Sequence, residues 1–437
     1  MATETAPPAD SAARPAASAG RANYALGLLT IISALNYADR GVLTLLLDSI
    51  KKDFRLTDTM LGLVAGFGFV LFYSFLGLPV ARWADRFDRR FILTAGLVVW
   101  SAMTCFGGLA RNVWQLAATR FGVGAGEACG VAPAHSMLSD LFPRGTLPRA
   151  LSVLTAGSQL GIFFGSVLAG VVNQYYGWRM AFVAAGVPGI AVAILFRFTV
   201  KEPARGATAD RVANTSVFSV GETARFLIRQ RSYVFTTIGG SLMAINIFGF
   251  QVWTPAFLHR VHHLNSVQIG TYVGTVMGLI GMAGVLLGGF LVEKLGKRDP
   301  RWGAYVPALA CILCSPLYLL FLFMPSVAGS LISLLLAGIL TRVYMGPTFA
   351  ICQTVSKVRM RAVASAAFMF CGNLIGLGLG ALLIGMLTDA LRPRYGEAAI
   401  RYSLIAPCVI AVVAGAFFWL AGRYLVADVQ AALVDGE

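Results

Sequence analysis

Charge is scarce in this sequence. Of its 437 residues only 13% are Asp, Glu, Lys or Arg, and 57% are hydrophobic. A soluble domain carries roughly twice that share of charge, so most of this chain cannot face water. The usual marks of catalysis are missing as well. No HExxH, GxSxG or GxGD element lies in an apolar run, which argues against an intramembrane enzyme. The seven cysteines (Cys105, Cys129, Cys311, Cys314, Cys352, Cys371, Cys408) all fall within or at the ends of apolar runs. They read as small buried hydrophobes, with no disulfide or metal framework, and no cofactor is expected. His259, His262 and His263 resemble a metal cluster, but the sequence offers no acid or cysteine beside them, so they read as a solvated loop. Residues 1–22 hold Ala, Pro and Ser without an apolar run. They lack the basic and hydrophobic regions of a signal peptide and read as a disordered tail.

What is present is a succession of apolar runs. About 20 apolar residues carry a helix across a bilayer, and lipid admits only helices or closed barrels. The runs are too long and too uniform for barrel strands. They predict twelve spans, at 24–47, 59–80, 91–110, 114–138, 149–172, 180–199, 232–257, 267–292, 303–324, 328–352, 362–388 and 402–424. The expected fold is all-α and integral to the membrane, with twelve transmembrane helices in two pseudo-symmetric six-helix bundles.

The expected units are a cytoplasmic tail 1–22, a bundle 23–199, a linker 200–231, a bundle 232–424 and a cytoplasmic tail 425–437. Of 35 Lys and Arg, 23 lie on the side of the termini, nine on the other side, and three (Arg40, Arg120, Arg342) within spans. The positive-inside rule then puts both termini in the cytoplasm. It also explains the basic excess better than nucleic-acid binding does. Residues 218–230 could form an amphipathic helix on the cytoplasmic surface.

The two halves repeat. The loop after the second span reads Ala81-Arg-Trp-Ala-Asp85-Arg86-Phe-Asp88-Arg89-Arg90; 208 residues later Gly289-Phe-Leu-Val-Glu293-Lys294-Leu-Gly296-Lys297-Arg298 follows the eighth. Acid, base, turn and double base coincide, as in parallel six-span repeats.

These loops resemble the Gly-x-x-x-Asp-Arg-x-Gly-Arg-Arg signature of the major facilitator superfamily. Ala81 and Asp88 replace the glycines in the first copy, and the second copy keeps both. Arg120-Phe-Gly-Val-Gly124-Ala-Gly126-Glu127 is similar to the family's fourth-span motif. Asn36-Tyr37-Ala38-Asp39-Arg40, Ala132-Pro133-Ala134 after Glu127, Asp140-Leu-Phe-Pro143 and Gly177-Trp178-Arg179-x-Ala181-Phe182 look like the spinster-like branch.

The resemblance implies alternating-access transport of an amphipathic or organic anionic substrate, with a lysolipid- or sphingolipid-like anion as the leading class. The alternatives are a drug–proton antiporter and a passive lipid scramblase. The fifth span has Gly157, Gly161, Gly165 and Gly170 but no Gly-Pro pair, which departs from the drug–proton antiporter motif. Partners would be the substrate, protons and membrane lipid, with the chain a monomer in the plasma membrane. By the same resemblance Asp85, Arg86, Arg89, Glu293 and Lys294 would gate the cytoplasmic side, Asp85 and Arg86 reaching toward Arg361 of the other half.

An ionisable residue within a span is expensive and is a functional candidate. At 1.5 Å per residue, Asp39 and Arg120 lie at similar depth and are expected to pair. Glu127, two turns below Arg120 on the same face, extends the stripe with Asn36. Asp39, Glu127 and Arg120 are therefore the expected proton-coupling set. Arg40 is expected to face another span. Superposing Pro133 on Pro347 puts Arg342 beside the position matching Glu127. A planar guanidinium there suits an oxyanion headgroup. Arg342, Asn36, Arg40 and Asn246 are the expected substrate contacts, with Gln251 a weaker one; His135, near the inner end of the fourth span, reads as a hydrogen-bonded helix histidine.

Overall fold

The computed structural model describes residues 19–143, 145–204, 220–357 and 360–434; the side chain of Asp85 also lies outside the described set. Among these residues the helical segments make twelve stretches long enough to cross a membrane, several broken or bent within, and there is no strand. In chain order they are α1 (Ala19–Phe54), α2 (58–86), α3 (Arg89–Gly108), α4 (113–141), α5 (147–176), α6 (178–199), α7 (Arg231–His262), α8 (Ser266–Gly296), α9 (Trp302–Phe323), α10 (Val327–Thr354), α11 (361–395) and α12 (Ile405–Val434). The spans are longer than their apolar runs at both ends of the chain. α1 begins at Ala19, within the expected tail, and α12 runs to Val434, through most of the other.

Local chemistry sets many helix starts. Side chains of Thr57, Asp88, Asn112, Asn265 and Ser326 accept hydrogen bonds from backbone N–H groups of the first turns of α2, α3, α4, α8 and α10. These groups have no partner inside the helix. Gly177 ends α5 and starts α6 with φ 83° and ψ 167°, a conformation open in practice only to glycine. The short helix Val220–Arg229 is the described part of the predicted linker helix. It buries Leu227 against Tyr233 and Ala364 and exposes Ile228.

Two midplane breaks correspond between the halves. α4 stops at Glu127 and resumes at Val131, and α10 stops at Val343 and resumes at Met345. Pro133 and Pro347 each stand third in the resumed helix. Each lacks the N–H that would bond the carbonyl four residues earlier, and so weakens the ladder where the break occurs.

Apolar side chains face both ways. Leu29, Leu93, Leu97, Val123, Met137 and Leu138 fill the first bundle. Phe164, Phe198, Leu286 and Phe290 are exposed, as expected of a surface that meets lipid. The bundles meet along α2–α11 and α5–α8, with α1 against α7. At Gly270 an added Cβ would collide with the Ser166 carbonyl, so α5 and α8 touch backbone to backbone. Among the described residues the cross-bundle ion pairs lie at the mouth opposite the termini, called distal here. On α2–α11 the aromatic contact nearest the termini is Phe75 with Phe370, centroids 6.1 Å apart.

Candidate functional site

Inside the first bundle two ion pairs lie in the hydrophobic interior. Arg120 Nη1 donates to Asp39 Oδ2 at 3.3 Å, and Thr104 Oγ1 donates to Asp39 Oδ1 at 2.8 Å. The Arg120 guanidinium lies over the Phe182 ring, 5.1 Å from its centroid, with Nε and Nη2 unpaired. The expected Asp39–Arg120 pairing is thus the geometry found.

Glu127 departs from expectation. It lies on the Arg120 helix but its partner is Arg40, through Nε at 2.9 Å and Nη2 at 2.8 Å. Asp39 and Arg40, adjacent on α1, point about 100° apart, and each takes a different partner on α4. Glu127 is fully buried, uses only Oε2, and leaves Oε1 without a partner. The rings of Tyr37, Phe69 and Tyr73 stand 4.9, 5.0 and 4.9 Å from the Arg40 guanidinium carbon. This aromatic cage was not legible in the sequence, since three rings among many carry no marker of a common target. Asn36 is buried beside it and lines a cavity of ≈ 100 Å³ with Ser33, Tyr37, Trp100 and His135.

In the second bundle Arg342 is half-buried at the α10 break. Its one hydrogen bond is to Met345 Sδ at 3.8 Å, and among the described residues no carboxylate pairs with it. It borders two small cavities, one with Gln251, Tyr318 and Thr341, the other with Phe248, Phe349 and Asn373. Asn246 lines neither. It is fully buried and donates from Nδ2 to the Pro407 carbonyl at 2.9 Å, an interhelical tie.

The signature loops also differ from expectation. Arg89 is buried and stays within its own half, with 2.6 Å contacts to Asp140 and Glu202 and further bonds to Ser136 and the Pro203 carbonyl. It anchors the start of the linker to α3 and α4. Glu293 is exposed and pairs one turn on with Lys297 at 3.6 Å; Lys294 is exposed beside Phe290; Arg86 is exposed. None of these four spans the two bundles. The Asp85 latch lies outside the described residues.

The cross-bundle ion cluster stands at the distal mouth instead. Arg260 of α7 reaches Asp48 of α1 at 2.5 Å and Asp58 of α2 at 2.8 Å. Lys51 adds a 2.5 Å contact to Asp58, and Asp389 of α11 accepts from the Asp58 and Thr59 backbone N–H groups and the Thr59 hydroxyl. His259 does have an acid beside it, Asp48 at 2.9 Å, which corrects the loop reading. Asp48 lies past the apolar part of α1. Burial opposes its charge, but the His259 and Arg260 hydrogen bonds and the Arg260 charge outweigh burial and hold its carboxyl below the usual range. Burial, with the Arg260 charge, lowers the Lys51 ammonium. The predicted spans leave these residues in loops, where charges at span ends look like simple anchors.

Twelve helices in two bundles, broken at the midplane and closed at one mouth, with buried charge between, define a multi-pass membrane transporter. The chain belongs to the Major Facilitator Superfamily, whose family model matches residues 29–380. Its relatives are spinster-like and other transporters, not enzymes. An MFS-type efflux pump of Mycolicibacterium smegmatis is 31% identical, over 92% of this chain and 94% of its own. A sphingosine-1-phosphate transporter of Danio rerio is 27% identical, over 91% and 83%. A crystal structure of a bacterial homolog of the human lysosomal transporter Spinster, inward-facing and unoccupied, superposes with a TM-score of 0.87 at 28% identity, covering 94% of this chain and 99% of that one.

Proposed function

We propose that this protein is a proton-coupled secondary active transporter of an amphipathic organic anion, working by alternating access, with its termini in the cytoplasm. The observation that carries this reading is the buried Glu127–Arg40 pair at the α4 break. A carboxylate beside an arginine stays ionised, and one freed into an apolar site takes up a proton. Glu127 has one oxygen unpartnered and only one partner to lose. Movement of Arg40 toward an anionic headgroup would release Glu127 to be protonated, which links proton and substrate. Asp39 and Arg120 form the second pair of the relay, and Arg342 supplies the cation of the opposite bundle. A lipid-like anion is favoured by the sphingosine-1-phosphate transporter among the relatives.

Glu127→Gln keeps the shape and the bond to Arg40 but cannot titrate. Proteoliposomes carrying it are expected to lose pH-gradient-driven flux while the thermal unfolding profile stays that of the wild type. Wild-type flux from this variant would remove Glu127 from the relay. A second reading, export of drug-like compounds, rests on the mycobacterial efflux relative. A thermal-shift screen against lysolipids, organic anions and cationic drugs separates the two, since stabilisation by the cations alone would favour export.

A further inference from the structure

The distal mouth is more than a seam. It holds a cavity of ≈ 600 Å³, far larger than the small cavities beside Arg342, and a volume of the order that takes a small ligand. Its inner layer is self-satisfied: Arg260 and Lys51 are committed to Asp48 and Asp58, and Asp389 behind them is taken by backbone and hydroxyl donors. The rim is not. Lys52, Arg55, Arg392 and His263 line it against a single carboxylate, Glu397. Among the described residues Lys52 and Arg55 have no ion-pair partner, and Arg392 comes only within 4.0 Å of Asp58.

A second observation singles out the same rim. Arg55 and His263 are the two non-glycine residues with positive φ, 53° and 54°, among the described residues. Each closes a helix: the following N–H groups, of Leu56 and Leu264, bond back to the Lys51 and Leu258 carbonyls. Glycine is the usual occupant of this position because a Cβ is strained there. At both positions the chain carries a cationic or titratable side chain instead, and both side chains line one cavity. Strain held at a cavity rim is a mark of ligand sites.

We propose that the distal mouth binds a phosphate-class oxyanion between Lys52 and Arg55 of the first bundle and Arg392 and His263 of the second, and that the bound anion clamps this mouth shut. Guanidinium forks suit such an anion through paired charge-assisted hydrogen bonds. The ligand contacts both bundles only when the mouth is closed, so it binds that state better and shifts the population toward it. The inference concerns a site remote from the proton relay and stands whatever the transported substrate is.

The experiment uses the full chain in neutral detergent, unfolded thermally with sodium phosphate against sodium chloride at matched ionic strength. Phosphate is expected to raise the unfolding midpoint of the wild type saturably, by a few degrees, and to narrow distances between spin labels placed across the distal mouth. Arg55→Gly and Arg392→Gln are expected to lose both responses. Arg55→Gly is expected to be at least as stable as the wild type without phosphate, because glycine adopts the positive φ without strain, so its lost response cannot be laid to misfolding. Nanodiscs of phosphatidylcholine with and without phosphatidylglycerol identify the source of the anion. If phosphatidylglycerol stabilises the wild type but not Arg55→Gly, and leaves added phosphate no further effect, the ligand is a lipid headgroup. If phosphate acts equally in both discs, it is a free oxyanion. Equal effects of phosphate and chloride, or a full phosphate response in Arg55→Gly, would overturn the proposal.

Discussion

Arg342 and Glu127 stand at corresponding breaks in α10 and α4, but in opposite electrostatic situations. Glu127 is fully buried and paired; Arg342 is half-buried and faces a thioether. A cation held near the membrane centre without a carboxylate is costly, and an anionic ligand arriving in the neighbouring cavities would offset that cost. Charge-assisted hydrogen bonds contribute about 1.5–3 kcal/mol, so Arg342→Ala is expected to weaken binding of an anionic substrate by roughly tenfold to a hundredfold. Arg342→Lys keeps the charge without the fork and should fall between. Binding isotherms with anionic and neutral-headed analogues check this. Unaltered anion affinity in a folded Arg342→Ala protein would make the residue structural.

Helices α2, α8 and α11 each contain a π-helical stretch, at Leu63–Phe67, Thr275–Ile280 and Asn373–Leu379. These are three of the four helices in the two main cross-bundle contacts, α2–α11 and α5–α8. A π turn inserts a residue into the ladder and re-aims the helix beyond it, which suits elements that must pack in more than one arrangement. The fourth, α5, contributes the Ser166 carbonyl that Gly270 of α8 approaches. Gly270→Val would force α8 away from the Ser166 carbonyl, so the distal closed state should lose population while the individual bundles stay folded. Pulsed spin-label distances across the distal mouth are expected to lengthen. Arg260→Gln acts on the same element from the ionic side. It leaves Asp48 with His259 and Asp58 with Lys51 and removes the guanidinium that joined them, and losing one member of a buried network costs at most about 3–5 kcal/mol. The closed state should then give way to the open one, with the same labels reporting it.

At the scale of the whole molecule Asp48 is expected to make the distal closure depend on pH. In the closed mouth Asp48 is held below the usual carboxylate range by His259 and Arg260, against the effect of burial. Separated in the open mouth it returns to about 3.9. A carboxyl lowered in one state stabilises that state above its ordinary value and loses the contribution as pH falls through the lowered one. Closure should therefore be insensitive to Asp48 from neutral pH down to roughly pH 5 and weaken below about pH 4. Label distances measured across this range in wild type and Asp48→Asn check it. The variant should be more open at neutral pH and flatter at low pH.

The linear pattern carried the depth of each residue and the length of each span. Apolar runs of membrane length imply twelve helices whatever packs against them, and the rise per residue puts Asp39 level with Arg120. The repeated loops and the matched Pro133 and Pro347 exposed the duplication, and with it the level of Arg342. Rotation about the helix axis and the approach of distant helices are not written at that level. Arg40 and Arg120 are both within reach of Glu127 by depth, and only the packing of α1 on α4 selects Arg40. The distal cluster draws on α1, α2, α7 and α11, from Asp48 to Asp389. No periodicity relates residues hundreds of positions apart; a backbone contact such as that of Gly270 with Ser166 brings such helices together. Depth follows from the solvent each residue must avoid, which a sequence records one residue at a time. Partnership follows from shape complementarity between helices, which exists only once they have met.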